Sequence, residues 1–391
     1  MTPGARLAAA IEVLDHVVAG EPAERALTRW ARRSRFAGSK DRAAVRDVVF
    51  DAMRRRRSAL WASGSAHETG RALVIGAVAS GATPEVLDHF GDGPYAPPVL
   101  SSVEQDALRA LDGAPRAVQL DLPDFLLTAF EQGQVQDVDA VAKILRTRAP
   151  VDLRVNRLRA TPAAARKSLA ADGIEVEDVA GAPDALRVTA NPRLVSQSAA
   201  YRAGLVELQD AASQSVAAAV APKPGERILD LCAGGGGKTL ALSAAMQGET
   251  VFAHDINPAR MRDLPVRADR AGASVEMLDS TALSARFDAV LVDAPCSGSG
   301  AFRRNPDQKW RLTPESLTDL VAAQTDVIDR AMGLVVPGGR VIFATCSVLW
   351  SENEAQVAAS LKRWPGARPG TVRRIAPGAL GDGFFIAIIY A

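Results

Sequence analysis

Residues 229–239 read LDLCAGGGGKT, an apolar run of strand length that leads into four consecutive glycines and then into a helical pattern from Lys238. Glycine has no Cβ atom, so the backbone of such a loop can approach a ligand closely. The N-terminus of the following helix directs free N–H groups toward the same place. The stretch therefore predicts a buried strand, a ligand-binding loop and a helix, in that order.

Further apolar runs of strand length alternate with helical patterns on the C-terminal side. They are TVFAHDI (250–256), SVEML (274–278), FDAVLVDAP (287–295) and GRVIFATCS (339–347). Strands that are apolar almost throughout and alternate with helices predict a parallel sheet covered on both faces. We therefore expect an α/β catalytic domain over residues 206–391, with its ligand at the carboxyl ends of the strands.

Two different patterns precede this region. Apolar residues repeat at helical spacing through the first part of the chain, which predicts an all-α domain over residues 1–150. Residues 151–205 combine strand-like alternation with one helical segment that ends at Gly173. That second pattern predicts a small α+β connector domain.

Composition excludes several classes of protein. The chain has 391 residues, 48% of them hydrophobic, which is too apolar for a disordered protein, and it has no apolar run of bilayer length. Three cysteines without a CxxC pair exclude a disulfide scaffold and a zinc ribbon. The four histidines show no ligand spacing, so we expect no metal. Glu12 and Asp15 interrupt the N-terminal apolar stretch, so we expect no signal peptide. The cysteine usage indicates a reducing compartment, so we expect a cytoplasmic protein.

The net charge of +1 hides an uneven distribution. Residues 1–65 hold 13 Lys/Arg against 7 Asp/Glu, whereas residues 66–150 hold 6 against 12. The basic segment is either a contact to nucleic-acid phosphates or a solvated helix face, and the sequence leaves both open. A monomer is the default expectation.

Three classes of ligand compete for the glycine loop. A phosphate-binding P-loop fits Lys238 and Thr239 but needs glycine where Cys232 stands. A dinucleotide fingerprint that starts at Gly234 needs glycine where Thr239 stands. The third class is S-adenosylmethionine, whose binding loop is looser.

Acidic residues after the next two strands favour the third class. Asp255 follows Gly236 by 19 residues, where an acid commonly accepts hydrogen bonds from ribose hydroxyls. A helix N-cap is the alternative role for Asp255. Asp279 lies beyond the third strand, where it is either a contact to the adenine amino group or a turn residue.

Two cysteines lie at the ends of the fourth and fifth predicted strands. Cys296 follows Asp293 in DAPC, and Cys346 lies in ATCS. Buried cysteine is usually an inert small hydrophobe, but a thiolate is a strong nucleophile once its pKa falls. Because C6 of a pyrimidine is a soft electrophile, a thiol, an acid and a methyl donor together indicate pyrimidine C5 chemistry.

The segments LDLCAGGGGKT, HDIN, VLVDAPCSGSGAFRRNPDQKW and VIFATCSVLWSENE resemble the signature segments of the Sun/Fmu (RsmB-like) RNA cytosine-C5 methyltransferases. The resemblance runs from GLVELQDAASQ (204–214) to GDGFFIA (381–387), about 190 residues in family order. It implies a Rossmann-like S-adenosylmethionine-dependent methyltransferase domain. The helical front end is similar to the NusB-like RNA-binding domain of the same family.

The resemblance also implies roles for the matching residues. Cys346 would be the nucleophile that adds to cytosine C6, and Cys296 would help to break the enzyme–RNA bond after methyl transfer. Asp293 would hydrogen-bond the N3 side of the ring, and Lys238 would position the donor or the base. The residues expected to bind the donor are Cys232, Ala233, Gly234, Gly235, Gly236, Gly237, Lys238, Asp255, Asp279 and Asp293. Those expected to meet RNA phosphates are Arg303, Arg304, Lys309 and Arg311.

The glycine loop departs from the family at one point. Gly234-Gly235 stands where the family usually has Ala-Pro before Gly-Gly-Lys. Glycine in place of proline loosens a loop entropically, so a loss of donor affinity is expected.

The predicted function is methyl transfer from S-adenosylmethionine to C5 of a cytosine in RNA, with 16S rRNA as the first substrate and tRNA as the alternative. A P-loop NTPase is a second hypothesis, because AVLVD (289–293) imitates a Walker B strand, but Cys232 and Asp255 argue against it. A third is a non-catalytic ribosome-assembly factor, against which the intact Cys296, Cys346 and Asp293 argue.

Overall fold

The computed structural model describes the chain except for residues 82–83, 134, 136, 281–282 and 285. It divides into two compact units. The helical unit comprises Met1–Gln132, Gln136–Arg148 and Phe302–Leu312, and the sheet unit comprises Gly133–Val135, Ala149–Ala301 and Thr313–Ala391. The three-domain division with boundaries after residues 150 and 205 stays a prediction.

Helices and strands are numbered along the chain. The helices are α1 Pro3–Val18, α2 Ala23–Arg33, α3 Ser39–Arg54, α4 Arg56–Ser63, α5 Gly70–Ala79, α6 Ser102–Ala107, α7 Arg116–Gln119, α8 Asp124–Gln132, α9 Val138–Leu145, α10 Pro162–Ala171, α11 Ala199–Arg202, α12 Ala211–Val220, α13 Gly237–Ala245, α14 Leu264–Ala271, α15 Pro306–Arg311, α16 Pro314–Leu334 and α17 Glu354–Arg363. The strands are β1 Asp152–Val155, β2 Glu175–Val179, β3 Ala182–Ala190, β4 Val206–Leu208, β5 Ile228–Asp230, β6 Val251–Ala253, β7 Val275–Met277, β8 Phe287–Asp293, β9 Val335–Thr345, β10 Arg368–Ile375 and β11 Phe384–Tyr390. None of these helices is both long and apolar enough to cross a membrane.

The helical unit is built around the apolar stripes that the sequence shows. Leu7 and Leu14 lie seven residues apart on one face of α1, and both are buried. They share a core with Val45 and Met53 of α3 and Leu73 of α5. Because the described part of residues 1–148 holds helices and no strand, the predicted helical fold of this region is confirmed.

A small antiparallel sheet with the order β2-β3-β1-β4 forms one part of the sheet unit. Its helix α10 begins after Thr161, whose hydroxyl accepts the Ala164 N–H, and Gly173 follows the helix with a φ of 72°. Strand β4 pairs with β1, with Leu153 opposite Leu208. Residues 206–208, which the sequence analysis assigned to the start of the catalytic domain, therefore complete the small sheet.

The larger sheet has seven strands in the order β10-β11-β9-β8-β5-β6-β7. Strands β5 to β9 are parallel, and β11 is antiparallel to both of its neighbours. Apolar clusters cover both faces of this sheet, as expected for strands without polar alternation. The strand order changes direction between β5 and β8, which is where open α/β sheets bind their ligands. The predicted α/β fold is confirmed.

Candidate active site

The parallel strands bring the predicted site residues to one edge of the large sheet. Each follows or ends a neighbouring strand on the carboxyl side. In strand order they are Asp279 after β7, Asp255 after β6, Cys232 after β5, Asp293 at the end of β8 and Cys346 after β9. This edge therefore unites residues that span more than a hundred positions of sequence.

The glycine loop adopts backbone angles that side chains disfavour. Gly234 has a φ of 53° and Gly236 a φ of 83°, both in the left-handed region. A Cβ atom on Gly236 would lie 2.2 Å from Leu264 Cδ1, so glycine is required there for packing as well. Gly236 caps α13, whose first N–H groups therefore face the sheet edge.

Asp255 links the end of β6 to the glycine loop. Its carboxylate is 2% exposed and accepts the Gly234 N–H at 2.9 Å and the Asn257 N–H at 2.9 Å. Arg260 Nη1 lies 3.2 Å from the same carboxylate. Because each carboxylate oxygen has two acceptor lone pairs, these contacts leave capacity for a ligand hydroxyl.

Cys296 and Cys346 form a close thiol pair. Their Sγ atoms lie 3.4 Å apart, and the Gly300 N–H donates to the Cys346 carbonyl at 2.9 Å, which ties the two loops together. The hydrogen bond with Cys346, followed by burial, raises the pKa of the Cys296 thiol well above its usual range. The Cys296 thiol therefore keeps its proton at neutral pH.

The third cysteine is chemically different. Cys232 packs against the apolar cluster on one face of the sheet. Burial, and then the negative charge of Asp230, raise the pKa of the Cys232 thiol. It is a protonated thiol at the start of the glycine loop and has no reactive character.

Lys238 and Asp293 form an ion pair at the centre of the edge. Lys238 Nζ donates to Asp293 Oδ2 at 2.6 Å and lies 5.7 Å from the centre of the Phe384 ring. Burial acts to lower the pKa of Lys238, but the Asp293 charge and hydrogen bond outweigh it and the pKa is raised. Lys238 therefore carries its charge at neutral pH, and its hydrogen bond fixes the orientation of the Asp293 carboxylate.

Glu352 is a site residue to which sequence reasoning gave no role. It is fully buried and accepts hydrogen bonds from the Ser297 N–H at 2.7 Å and from the Ser347 hydroxyl. Gln324 Nε2 donates to it at 3.1 Å. One carboxylate thus braces the residues that follow Cys296 and Cys346. Its only sequence signal is its place in SENE, just after the second cysteine motif.

Asp230 is a second such residue. It ends β5, and the Thr239 hydroxyl of α13 donates to its carboxylate at 2.7 Å. Burial raises the pKa of Asp230 to about 6. This contact joins the two ends of the glycine loop.

The basic residues after Cys296 are a correction to the sequence analysis. Phe302–Leu312 belongs to the helical unit, where Lys309 is 1% exposed and donates from Nζ to the Arg54 carbonyl at 3.2 Å. Arg303 is 3% exposed. Buried cations cannot reach phosphates, so both are removed from the expected RNA contacts, whereas Arg304 and Arg311 are exposed.

Comparison with known proteins agrees with this geometry. The family model described as 16S rRNA methyltransferase RsmB/F matches residues 217–389. The RsmF/B-like ferredoxin-like domain model matches residues 122–194, which include most of the small sheet. The NusB-like nature of residues 1–150 stays a prediction.

Named relatives give the same family. The chain is 35% identical over 280 residues to ribosomal RNA small subunit methyltransferase B of Cronobacter sakazakii, covering 68% of this chain and 65% of that protein. It is 32% identical over 302 residues to the protein of that name from Vibrio cholerae, covering 73% and 69%. The chain thus spans about two thirds of the length of these relatives.

A solved structure has the same fold. The crystal structure of a methyltransferase homolog protein from Pyrococcus horikoshii matches with a TM-score of 0.62 and 25% identity, covering 70% of this chain and 96% of that one. The sequence matches confirm the resemblance drawn from the motifs. The chain belongs to the RsmB/F family of 16S rRNA methyltransferases.

Proposed function

We propose that this protein transfers a methyl group from S-adenosylmethionine to C5 of a cytosine in 16S rRNA. The observation that carries the proposal is the pair of Sγ atoms, Cys296 and Cys346, 3.4 Å apart beside the Lys238–Asp293 ion pair. Family membership supports the reaction, and the relatives' names support rRNA as the substrate.

The donor-binding part of the site fits S-adenosylmethionine. The left-handed glycines and the N-terminus of α13 provide a close backbone approach after β5, and acidic residues follow the two neighbouring strands. Residues 232–238 would hold the methionine part, Asp255 the ribose hydroxyls and Asp279 the adenine. When bound, the donor supplies a methyl group carried on a positively charged sulfur.

Cys346 carries the covalent step. Its thiolate adds to C6 of the cytosine, and the electron pair of the C5–C6 double bond makes C5 the methyl acceptor. Asp293, oriented by Lys238, hydrogen-bonds the N3 side of the ring, where the proton is held while the charge develops. After C5 is methylated, removal of its proton restores the double bond and breaks the bond from Cys346 to C6.

Cys296 is the residue that assists this release. Its pKa is raised chiefly by the hydrogen bond with Cys346 and then by burial. Its Sγ atom lies 3.4 Å from that of Cys346, beside the bond that must break. As a thiolate, after its own proton has passed to solvent, it accepts the proton from C5 at the step where a base is needed.

The hydrogen bonds of the loop argue against an NTPase. A P-loop points its backbone N–H groups and its lysine at phosphates. Here the Gly234 N–H donates to Asp255, and Lys238 donates to Asp293. Both groups that a phosphate would need are held by carboxylates.

The test is transfer of labelled methyl from S-adenosylmethionine to unmodified 16S rRNA and, separately, to tRNA. We expect label at one cytosine of the rRNA, located by bisulfite mapping, and none with Cys346→Ala. Calorimetry on Cys346→Ala controls for donor binding, which should be retained because Cys346 lies outside the glycine loop. Label in tRNA alone would overturn the substrate, and undiminished transfer by Cys346→Ala would overturn the mechanism.

The proposal extends to the setting of the reaction. It places the protein in the cytoplasm with RNA as its partner, and treats it as a monomer. Light scattering of the purified protein tests the last point, since a dimer would double the measured mass.

A further inference from the structure

A buried carboxylate on the small sheet is connected to the glycine loop through one arginine. Glu207 of β4 has a side chain that is 2% exposed, and Arg267 Nη2 of α14 donates to its Oε2 at 3.0 Å. The other terminal nitrogen of Arg267 donates to the Gly235 carbonyl. Arg267 thus bridges the loop and a fixed acidic anchor.

Arg270, one turn further along α14, provides a natural comparison. It donates to Oε1 of the same Glu207 carboxylate. Its guanidinium also lies over the Tyr201 ring, and in the described part of the chain it makes no hydrogen bond to the glycine loop. The two arginines therefore share an anchor and a helix, and they differ in their connection to the loop.

Gly235 leaves room for the guanidinium. A Cβ atom on residue 235 would lie 3.1 Å from Arg267 Nη1, which is tighter than nine in ten real Cβ contacts. This is one of the two positions where the family usually has Ala-Pro. A side chain there would require the guanidinium to shift by a few tenths of an ångström.

The contacts from Glu207 through Arg267 to Gly235 restrict the conformational freedom that four consecutive glycines give the loop. Glycine loses more conformational freedom on ordering than any other residue, and proline loses less. A hydrogen bond from a charged donor to the Gly235 carbonyl fixes the centre of the loop from outside. Because Glu207 is buried and holds the arginine at a second nitrogen, the donor is itself held in place.

We propose that Arg267, held by Glu207, is a positioning residue that orders the Gly234-Gly235 part of the loop for binding of the methyl donor. This inference rests on the proposed function. Arg267 acts through the loop backbone and takes the place of the stiffness that proline gives elsewhere in the family.

Calorimetric titration of the full chain with S-adenosylmethionine tests the proposal. Arg267→Ala should weaken donor binding about tenfold, because one charge-assisted hydrogen bond no longer orders the loop. Arg270→Ala removes the same charge from the same carboxylate and should keep the wild-type donor affinity while lowering the melting temperature. Arg267→Lys keeps the charge but offers it at a single nitrogen, so this variant should bind S-adenosylmethionine with intermediate affinity. It also keeps the test valid if Arg267→Ala fails to fold.

A rescue variant separates loop ordering from general damage. Gly235→Pro alone should weaken donor binding, because its ring would displace Arg267. Combined with Arg267→Ala it should recover part of the lost affinity, because the space is then free and proline stiffens the loop. Unchanged affinity in Arg267→Ala, or equal losses in Arg267→Ala and Arg270→Ala, would overturn the proposal while leaving the proposed function in place. Failure of the wild type to bind S-adenosylmethionine would instead overturn the proposed function together with it.

Discussion

Cys296 Sγ lies 3.4 Å from Cys346 Sγ, although fifty residues separate the two in sequence. The contact exists because β8 and β9 are parallel neighbours in register, with Asp293 opposite Ala344. Cys296 comes three residues after the end of β8 and Cys346 directly after the end of β9, so the strand register sets the distance between the thiols.

The first prediction concerns the release step. Cys296→Ala should accumulate a covalent protein–RNA species, because Cys346 can still add to C6 while release is slowed. A denaturing gel with labelled RNA should show a shifted band for Cys296→Ala, and none for the double variant Cys296→Ala/Cys346→Ala. Full turnover without a shifted band would remove the release role from Cys296.

The second prediction concerns the brace at Glu352. Glu352→Ala leaves the buried Ser297 N–H without its acceptor and removes one acceptor of the Ser347 hydroxyl. We expect the free energy of unfolding to fall by about 3 kcal/mol and methyl transfer to fall more than tenfold, since both cysteine loops lose their support. Urea denaturation and transfer assays measure the two effects.

Glu354→Ala is the matched control for that variant. Glu354 pairs with Arg374 at the surface, with side chains about one-third exposed, so its loss should cost at most about 1 kcal/mol. If both variants lost the same stability and activity, Glu352 would have no special role.

The third prediction separates donor binding from RNA binding. Asp255→Ala removes the acceptor of the Gly234 N–H and the expected ribose contact, so the dissociation constant for S-adenosylmethionine should rise about tenfold or more. RNA affinity in a filter-binding assay should not change. Asp263→Ala, at an acid just before α14 with a 74% exposed side chain, is the control. Unchanged donor affinity in Asp255→Ala would refute the assignment.

The fourth prediction follows from the buried Lys309. Burial lowers the pKa of Lys309 from 10.5 to about 8 in the folded protein. Between pH 8 and 10.5 the unfolded chain binds more protons than the folded one. The free energy of unfolding should therefore rise with pH by about 3 kcal/mol across this window. Lys309→Met should abolish that rise and increase the free energy of unfolding at pH 7, because no charge is then buried.

Denaturant unfolding at pH 7, 8, 9 and 10 measures the effect as the difference between wild type and variant. Lys143→Met, at an exposed lysine of α9, should keep the wild-type slope. RNA affinity should be the same for wild type and Lys309→Met. A large loss of RNA affinity would show that Lys309 does reach phosphate.

Local patterns predicted much of the architecture. The apolar run RILDLC, followed by four glycines, by itself predicts a strand and a ligand-binding loop. The spacing of Leu7 and Leu14 predicts the buried face of a helix. Such patterns depend on neighbours within a turn or a strand, so they can be found without knowing the rest of the fold. The motif resemblance added the family, which the comparisons confirm.

The burial of single side chains and their partners far away in sequence could not be predicted from local patterns. Lys309 and Arg303 follow the DAPC motif and look like phosphate contacts, but their segment packs in the helical unit. Strand β4 was not predicted, because three residues carry too little pattern to indicate a strand or its partner.

Short stretches of this chain encode the strands, the glycine loop and the two cysteine motifs, because strand and loop propensities act locally. The meeting of Cys296 with Cys346, the bracing by Glu352 and the bridge from Glu207 through Arg267 to Gly235 depend on which strands and helices become neighbours. That choice is made by burial of apolar surface over the whole sheet unit, whose energy is shared among residues far apart in sequence.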